Sequence, residues 1–578
     1  MVDKSSQTLD LAKCEMLRYG FKAEFKLEKD LPSFEIRKEK KNIIIAAPSE
    51  IEFLYGVYKC AEEFFGWDFF EPGKDAFHPE LVRELPEEGI LYPARKKRLE
   101  RCGFIQEFPF DSTAEATFDF MAKNQLNYLM VWMIYYDDLS PELKEFAAVR
   151  GIIIESGHHN FNYLIPPEKY RREHPEFFAE NEQTRQQRLA GMPEESRQLC
   201  TTNAALRKEL VKNLLLYREK HPELQYLALN PNDGFGWCEC PACSRLYDKN
   251  LKGNVYSLSE KYYKADRIFH ELIDAVNAGI HEKAPDIILN FFAYVNYTSP
   301  APGFRLRPGM GVHLALYWRC INHDIDCEKC GINSGYYQDI LAWEKVKEGG
   351  LFNIYEYFMG INFYLGMPML HFEAMFREFD FYNAHKVDGV FTQFWPDHWT
   401  SYGPNYYFMA KAARGEDPEK ALSDFYRRRF GKMEKTARKF YGKLREILGN
   451  MSDCHIPHCI AFLSRVSLAE LESLREDAEA LSANCPELPG RACGIWVEYM
   501  CRFKKIYDDS RLHPTSRKRV EEFLAWIHAN KDAKIFVTEK FDRFFQDWFE
   551  DIDAGRDWHF FTENDWFTEY SRRKVIPR

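Results

Sequence analysis

The chain has 578 residues, a formal net charge of −11 and 29% charged residues. That length predicts two to four domains, and the negative charge argues against nucleic acid as a partner, because phosphates require a basic face. Aromatic residues are abundant, at 16% of the chain. We expect most of them in hydrophobic cores, although aromatic faces also suit the apolar faces of sugar rings.

The first residues, MVDKSSQTLDLAK, contain no apolar segment typical of a secretory signal. No window approaches 18 uninterrupted apolar residues, so we expect no membrane partner. Fifteen cysteines without a visible signal favour reduced thiols over a disulfide framework. These features predict a cytoplasmic protein, with secretion as the alternative if the N-terminus was trimmed.

Residues 1–92 are predicted to form a small α/β domain. Residues 34–37 and 42–47 have the composition of strands, and 51–65 have the apolar spacing of a helix that ends at Gly66. A separate first domain is therefore expected.

Residues 93–415 alternate apolar runs of strand length with helical stretches. The eight runs are 99–105, 128–134, 151–154, 226–229, 287–295, 312–317, 352–357 and 389–394. Helices are predicted between them, among others at 203–220, 257–283 and 368–384. Continuous apolar strands separated by helices indicate a parallel sheet buried on both faces, and eight of them predict a (β/α)8 TIM barrel. An open doubly wound sheet is the alternative, but no glycine-rich dinucleotide turn follows the first strand.

Beyond residue 415 no further strands are predicted. Residues 418–449, 467–482, 490–509 and 516–530 have helical patterns, so 416–578 are expected to form a helical C-terminal domain.

Acidic, amide and aromatic side chains follow the predicted barrel strands, at the end where barrel enzymes place their chemistry. Two acids stand out: Asp233 after the fourth strand and Glu356 at the end of the seventh. Glycoside hydrolysis requires such a pair, with one carboxylic acid to protonate the leaving oxygen and a second carboxylate for water or the anomeric carbon. The candidate substrate contacts are Asn232, His158, His159, Trp237, Tyr317, Arg319, Tyr355, Trp395, Asp397 and His398.

Arg319 has two interpretations. Its guanidinium could bind a uronate carboxylate in a two-bond fork, or it could neutralise Glu356 or Asp324 as a structural ion pair.

The cysteines of Cys238-x-Cys240-x-x-Cys243 and of Cys327-x-x-Cys330 offer two interpretations. They could share one structural zinc ion if their loops met across the barrel mouth. The alternative, which we favour, is that the thiols pack the loop that holds Asp233. A further Cys and His cluster at 454–459 is interpreted as a turn between helices, and no metal or cofactor is expected at the active site.

Several motifs resemble a known family. They are His174-Pro175-Glu176-Phe177-Phe178, Gln198-Leu199-Cys200-Thr201-Thr202-Asn203, and Asn232-Asp233-Gly234 followed by Trp237-Cys238-Glu239-Cys240 and Cys243. They resemble a large bacterial family catalogued as a domain of unknown function (DUF4838) and partly classed as glycoside hydrolase family 163. The resemblance extends over roughly residues 35–435 and implies glycosidase chemistry, with family 163 members acting inside N-glycan chitobiose cores.

A more distant similarity implies the roles of the two acids. Asn230-Pro231-Asn232-Asp233-Gly234 is similar to the general-acid segment of family 67 α-glucuronidases, and Glu356-Tyr357-Phe358-Met359-Gly360 is similar to their base segment. The N-terminal segment is similar to the small domain that precedes the barrels of hexosaminidases and α-glucuronidases. The resemblance thus implies Asp233 as general acid and Glu356 as base or nucleophile.

The sequence predicts a glycoside hydrolase acting on a glycan, with an endo-type β-N-acetylglucosaminide linkage as the expected target. The alternatives are an α-glucuronidase-like hydrolase, a carbohydrate-binding barrel without chemistry, and a metal-dependent hydrolase built on His158, His159 and His323. A carbohydrate is the expected partner, and a homo-oligomer is an alternative to a monomer.

Overall fold

The computed structural model of the protein describes residues 4–192, 198–234, 236–247, 264–359, 364–452, 459–512 and 517–553. Several parts of the sequence prediction lie outside these residues, among them the first seven positions of the helix expected at 257–283, Gly360, positions 454–458 of the Cys and His cluster, position 516 and residues 554–578.

The N-terminal part is a small α/β domain, as predicted. One helix, α2, packs on a four-stranded mixed sheet of order β1-β3-β2-β6, and α1 packs on α2; a hairpin of β4 and β5 completes the domain. The helices are α1 (Lys4–Arg18) and α2 (Glu50–Phe64), and the strands are β1 (Ala23–Leu27), β2 (Glu35–Glu39), β3 (Asn42–Ala47), β4 (Phe65–Glu71), β5 (Lys74–Val82) and β6 (Gly89–Tyr92). The sequence analysis predicted β2, β3 and α2 and missed the other elements.

Eight parallel strands follow and close into a barrel, which confirms the predicted fold class. They are β7 (Arg101–Gln106), β8 (Tyr128–Trp132), β9 (Ile153–Gly157), β10 (Tyr226–Ala228), β11 (Ile288–Ala293), β12 (Met310–Ala315), β13 (Leu351–Glu356) and β14 (Gly389–Gln393). Each overlaps one predicted apolar run, and β14 pairs with β7 to complete the ring.

Helices surround the barrel and connect its strands. They are α3 (Ala114–Lys123), α4 (Met133–Asp137), α5 (Pro141–Val149), α6 (Phe161–Leu164), α7 (Pro167–Tyr170), α8 (Glu182–Leu189), α9 (Ala204–Lys220), α10 (Pro241–Ser244), α11 (Asp266–His281), α12 (Gly331–Val346), α13 (Phe372–Ala384) and α14 (Trp399–Ala413). Asn203 caps α9 by accepting from the backbone N–H groups of Ala205 and Leu206, which explains why the helix begins there.

The strands pack so closely that glycine is required on β7. A Cβ atom on Gly103 would lie 1.8 Å from the carbonyl oxygen of Tyr128 on β8. That oxygen is held in the register of the sheet, in which Gly103 pairs with Tyr128. A side chain at this position would therefore separate the first two barrel strands.

The C-terminal part is helical, as predicted. Its helices are α15 (Pro418–Phe430), α16 (Glu434–Gly449), α17 (Cys459–Arg465), α18 (Leu468–Glu472), α19 (Arg475–Asn484), α20 (Cys493–Leu512), α21 (Arg517–Ala529) and α22 (Thr538–Asp553). The single helix predicted over 418–449 is two helices, because Gly431 ends α15 with a φ of +48°. No helix of the described ranges is long and apolar enough to span a membrane.

A buried ion network joins the N-terminal domain to the end of the barrel. Lys59 of α2, only 1% exposed, lies 2.9 to 3.0 Å from carboxylate oxygens of Glu62, Glu63 and Glu416. Lys411 of α14 lies 2.5 Å from Glu62. Several charges are satisfied only when all three segments are in place, so the network fixes the N-terminal domain against α14.

Candidate active site

A polar layer fills the middle of the barrel. Glu155 of β9 is fully buried and accepts hydrogen bonds from the Tyr128 hydroxyl at 2.5 Å and from Asn290. A third neighbour is His313 of β12, whose Nε2 lies 2.9 Å from the same carboxylate. Burial opposes ionisation of Glu155, but these partners outweigh it and lower its pKa. The layer lies below the site, and its hydrogen bonds hold Glu155 to the neighbouring strands.

Glu107 lies one layer higher, just beyond the end of β7. Its carboxylate is 2.8 Å from His158 Nε2 and accepts hydrogen bonds from the Tyr355 hydroxyl at 2.9 Å and from Gln393 Nε2 at 2.5 Å. Each partner comes from a different loop or strand at the carboxyl end of the barrel. Only 19% of the Glu107 side chain is exposed.

Electrostatics hold Glu107 in its ionised form. Burial alone would raise its pKa, but the positive charge of His158 and the three hydrogen bonds outweigh it and lower the pKa to about 2. The pKa of the neighbouring His159 is also lowered, to about 4, by burial and by the charge of His158, and for an imidazole this favours the neutral form. The site therefore holds a carboxylate beside a neutral imidazole near neutral pH.

The two histidines face the same side although they are sequential. His158 has a φ of +69°, and this left-handed conformation ends β9 and brings the two ring centroids to 4.8 Å. Adjacent side chains on a strand point to opposite faces, but this alternation ends at such a turn.

Asp233 lies on the loop after β10, where its carboxylate is 69% exposed. The Tyr294 hydroxyl donates to it at 3.3 Å, and His159 Nε2 lies 3.8 Å away. His159 is held in turn by the Pro231 carbonyl, 2.5 Å from Nδ1. Asp233 is thus solvent-accessible and directed toward the histidine pair.

Aromatic rings line the mouth between the two acids. Tyr355 and Tyr357 stack at 4.8 Å, Tyr317 meets Tyr357 edge to face at 5.5 Å, and Tyr294 meets Tyr317 in the same way. Trp132 stacks on His158 at 4.7 Å. The half-buried rings offer flat apolar faces, and their hydroxyl groups offer hydrogen bonds.

The negative charges of Asp233 and Glu107 both raise the pKa values of the same groups in this mouth. Burial raises the pKa of Tyr317, and the charges of both Asp233 and Glu107 raise it further. The same two carboxylates oppose the fall in the pKa of His159. Glu107 contacts His158, Asp233 lies 3.8 Å from His159, and the two imidazole rings are 4.8 Å apart. Two acids, one exposed and one held ionised, therefore face a common aromatic cleft.

The structure corrects the predicted placement of Glu356. Tyr355 faces the barrel interior, so the next residue on β13 faces outward, where Glu356 is fully buried against α13. It accepts hydrogen bonds from Arg319 at 2.5 Å and from the Tyr382 hydroxyl of α13. Arg319 also bonds Glu378 of α13. Both predicted groups thus belong to a buried ion cluster behind the strand, and Arg319 neutralises Glu356 as in the structural alternative.

Four further predicted contacts lie away from the cleft or at its edge. Trp237 is buried, donates to Asn296 Oδ1 at 3.3 Å and packs on Tyr297. His398 is buried 2.7 Å from the Tyr406 hydroxyl, and burial lowers its pKa to about 3. The remaining two are Asn232, which exchanges hydrogen bonds with Asn162, and Asp397, which is exposed on a short 3-10 helix.

The predicted residues that do meet in the cleft are Asp233, His158, His159, Tyr317 and Tyr355. Trp395 lies beside the mouth against Phe108, with Lys540 of α22 over its ring at 4.9 Å. The sequence analysis missed Glu107, Gln393, Trp132, Tyr294 and Lys540 as site residues. Glu107 had a usable signal, an acid two residues beyond the first predicted strand.

Within the part of the chain that the structure describes, two groups of side chains have the composition of metal ligands. The first is Cys200, Cys238, Cys240 and Cys243, and the second is Cys320, His323 and Cys330. The interpretation in which Cys238-x-Cys240-x-x-Cys243 and Cys327-x-x-Cys330 share one zinc ion, which the sequence analysis did not favour, does not match the structure, because the fourth thiol near the first motif is Cys200. His323 lies with Cys320, 3.2 Å from its sulfur, and not with the histidines of the cleft.

Fold and site together define a (β/α)8-barrel protein with its cleft at the carboxyl ends of the strands. Residues 104–442, more than half of the chain, match the family described as "Domain of unknown function (DUF4838)", and the protein belongs to that family. No curated protein sequence matches the chain.

Solved structures with a similar fold are glycoside hydrolases. One is described as a GH138 enzyme targeting pectin rhamnogalacturonan II, with a TM-score of 0.54 and 8% identity over 91% of this chain and 72% of that one. A second is a family 89 glycoside hydrolase from Clostridium perfringens in complex with PUGNAc, with a TM-score of 0.56 and 9% identity over 91% of this chain and 65% of that one. At such identities the likeness establishes the fold.

Proposed function

We propose that the protein is a glycoside hydrolase that uses Asp233 and Glu107 as its pair of carboxyl groups. The observation that carries the proposal is the aromatic cleft at the carboxyl end of the barrel, which both acids face and where Glu107 is held ionised by His158, Tyr355 and Gln393. Glycoside hydrolysis requires one carboxylate and one carboxylic acid on opposite sides of the scissile bond.

The two acids have different environments and therefore different roles. Glu107, with its lowered pKa of about 2, is the carboxylate that stabilises the oxocarbenium-like transition state or attacks the anomeric carbon. Asp233, open to solvent beside the neutral imidazole of His159, is the group that protonates the leaving oxygen.

The aromatic rim supports a carbohydrate ligand. Trp132 and the tyrosines provide stacking faces, while the hydroxyl groups of Tyr294, Tyr317 and Tyr357 can bond sugar hydroxyls. An endo-type β-N-acetylglucosaminide linkage remains our proposed target. The α-glucuronidase alternative loses the guanidinium suggested for it, because Arg319 is committed to Glu356 and Glu378.

The test is a panel of aryl glycosides and free N-glycans incubated with the wild type, Asp233→Asn and Glu107→Gln. Each variant should lower turnover by about 10²-fold to 10⁴-fold, the usual contribution of a positioned acid or base. Asp397→Asn is the matched control and should retain activity, since its exposed carboxyl lies on the loop that follows β14. Full activity in either cleft variant would remove that residue from the mechanism.

A second measurement separates catalysis from simple binding. Isothermal titration of Glu107→Gln with a cleaved glycan should still show binding, because the aromatic faces are intact. Saccharide binding by the wild type with no product from any glycan in the panel would instead establish the carbohydrate-binding barrel.

A further inference from the structure

Four cysteines converge on one point beside the loop that holds Asp233. Cys200 precedes α9, whereas Cys238, Cys240 and Cys243 lie between β10 and the end of α10. Their four sulfur atoms all lie within 4.8 Å of one another. The sulfur of Cys200 is 3.7 Å from that of Cys240 and 3.9 Å from that of Cys243.

These distances match one metal ion with four thiolate ligands. Zinc binds cysteine sulfur at about 2.3 Å, and four ligands at the corners of a tetrahedron of that size stand about 3.8 Å apart. A disulfide would instead bring two sulfurs to about 2.05 Å. Thiols are weak hydrogen-bond donors, so mutual hydrogen bonds give four of them little reason to gather.

We propose that Cys200, Cys238, Cys240 and Cys243 form a structural zinc site. The set is closed, with four protein ligands and no open position for substrate, as in structural rather than catalytic zinc centres. All-sulfur tetrahedral ligation selects soft metals, and zinc is the redox-inert member of that group.

The surroundings have the features of a built site. Cys238 and Cys243 are almost completely buried and Cys240 is half-buried, so the ligands are shielded while one side gives the metal access. The Thr202 hydroxyl lies 3.1 Å from the sulfur of Cys243 and 3.7 Å from that of Cys200. A hydroxyl in this position can donate to a metal-bound thiolate and stabilise its charge.

The second group is not proposed as a site. The group of Cys320, His323 and Cys330 offers three ligands, one fewer than the first group. Any metal bound by this second group would be the same in the wild type and in variants of the first group, so it does not affect their comparison.

The zinc ion would cross-link the segment of Cys200 to the loop after β10, which is also held by hydrogen bonds. Gln198 Nε2 donates to the Asn232 carbonyl at 2.6 Å, and Asn181 Nδ2 donates to the Gly236 carbonyl at 2.7 Å. Asp233 lies between these two anchored carbonyls. Zinc at Cys238 and Cys240 would fix the C-terminal side of the same loop, independently of whether Asp233 is a catalytic residue.

The experiment measures metal in the full chain, purified under reducing conditions without chelator from zinc-supplemented culture. Mass spectrometry of the metals should find one more equivalent of zinc in the wild type than in Cys200→Ser or Cys240→Ser. Cys14→Ser, which removes an exposed thiol on α1, is the control and should keep the wild-type zinc content. Equal zinc in all four proteins, iron in place of zinc, or disulfide-linked peptides from these cysteines would overturn the proposal.

If the variants do not fold, two measurements on the wild type still test the site. Replacing zinc with cobalt should produce the thiolate-to-cobalt charge-transfer bands and visible bands of a tetrahedral tetrathiolate. A mercurial reagent should release zinc as it modifies the four thiols, and amide exchange of residues 229–234 should then accelerate. A cobalt spectrum without thiolate bands, or exchange unchanged by zinc release, would contradict the site.

Discussion

The buried cluster behind β13 predicts a pH-dependent stability that Glu378→Gln should abolish. One cation, Arg319, lies between the carboxyl groups of Glu356 and Glu378, and all three side chains are almost completely buried. Burial, and then the negative charge of Glu356, raise the pKa of Glu378 to about 7, although Arg319 opposes the shift. One carboxyl of the cluster is therefore protonated below neutrality.

The direction and size of the effect follow from this shift. The ordinary value is 4.5, so from about pH 4.5 to 7 the folded protein holds a proton that the unfolded chain releases. Stability from Glu378 is fully present below that range and is lost as pH rises through about 7. The shift corresponds to about 3 kcal/mol, at roughly 1.36 kcal/mol per pKa unit.

Urea unfolding of the wild type and Glu378→Gln at pH 5, 6, 7 and 8 measures this. Glutamine stays neutral throughout, so the difference in unfolding free energy should move by about 2.5 kcal/mol in favour of the variant between pH 5 and pH 8. Glu373→Gln on the same helix is the matched control, because its carboxylate is partly exposed and paired with Arg445. If the unfolding free energies of the wild type and Glu378→Gln changed with pH in parallel, the raised pKa of Glu378 would be refuted.

Three further predictions concern the fold and the cleft. Gly103→Ala should destabilise the barrel by at least about 3 kcal/mol or prevent its folding, because a Cβ would lie 1.8 Å from the Tyr128 carbonyl oxygen. Gly442→Ala on α16, with open space around it, is the control and should increase stability by about 1 kcal/mol. Thermal melts compare the two variants. Lys59→Met should cost about 3 kcal/mol or more in urea unfolding, because three buried carboxylates lose their shared cation; a cost below about 1 kcal/mol would contradict the network. Trp132→Ala should raise KM on the glycan found by the panel about tenfold with little change in melting temperature, and an unchanged KM would exclude Trp132 from sugar stacking.

The barrel could be predicted from the sequence because its strands are buried on both faces. Such strands appear as continuous apolar runs, and eight runs separated by helices leave few alternatives. The small domain was harder, since β1, β5 and β6 are short or largely exposed and lack a regular apolar pattern. The C-terminal helices were found from their spacing, but the break at Gly431 depends on a backbone conformation that periodicity does not reveal.

The same burial explains why the sequence misplaced Glu356. A strand with one solvated face alternates apolar and polar residues, and that alternation shows which residues face inward. In β13 both faces are buried, so the pattern gives no sign that Tyr355 faces the cleft while Glu356 faces α13. The position of Glu356 at the end of a strand predicted its height along the barrel but not whether its side chain faces inward or outward.

Glu107 and the four cysteines illustrate contacts that depend on distant segments. Glu107 becomes a buried carboxylate only when His158, Tyr355 and Gln393 converge on it from three other loops and strands. Cys200 lies 38 positions before Cys238, beyond the reach of a local spacing motif. Neither arrangement could be deduced before the fold had brought these segments together.

The buried contacts of the N-terminal domain determine how the chain can be shortened for expression. The Trp399 indole N–H donates to the Phe70 carbonyl at 2.8 Å, and Lys411 pairs with Glu62. A fragment limited to residues 93–415 would keep this tryptophan and this lysine but lose both partners, leaving a donor and a cation in a newly exposed apolar wall. Such a fragment should be insoluble, so fragments intended for crystallisation should retain the small domain and extend past Glu416.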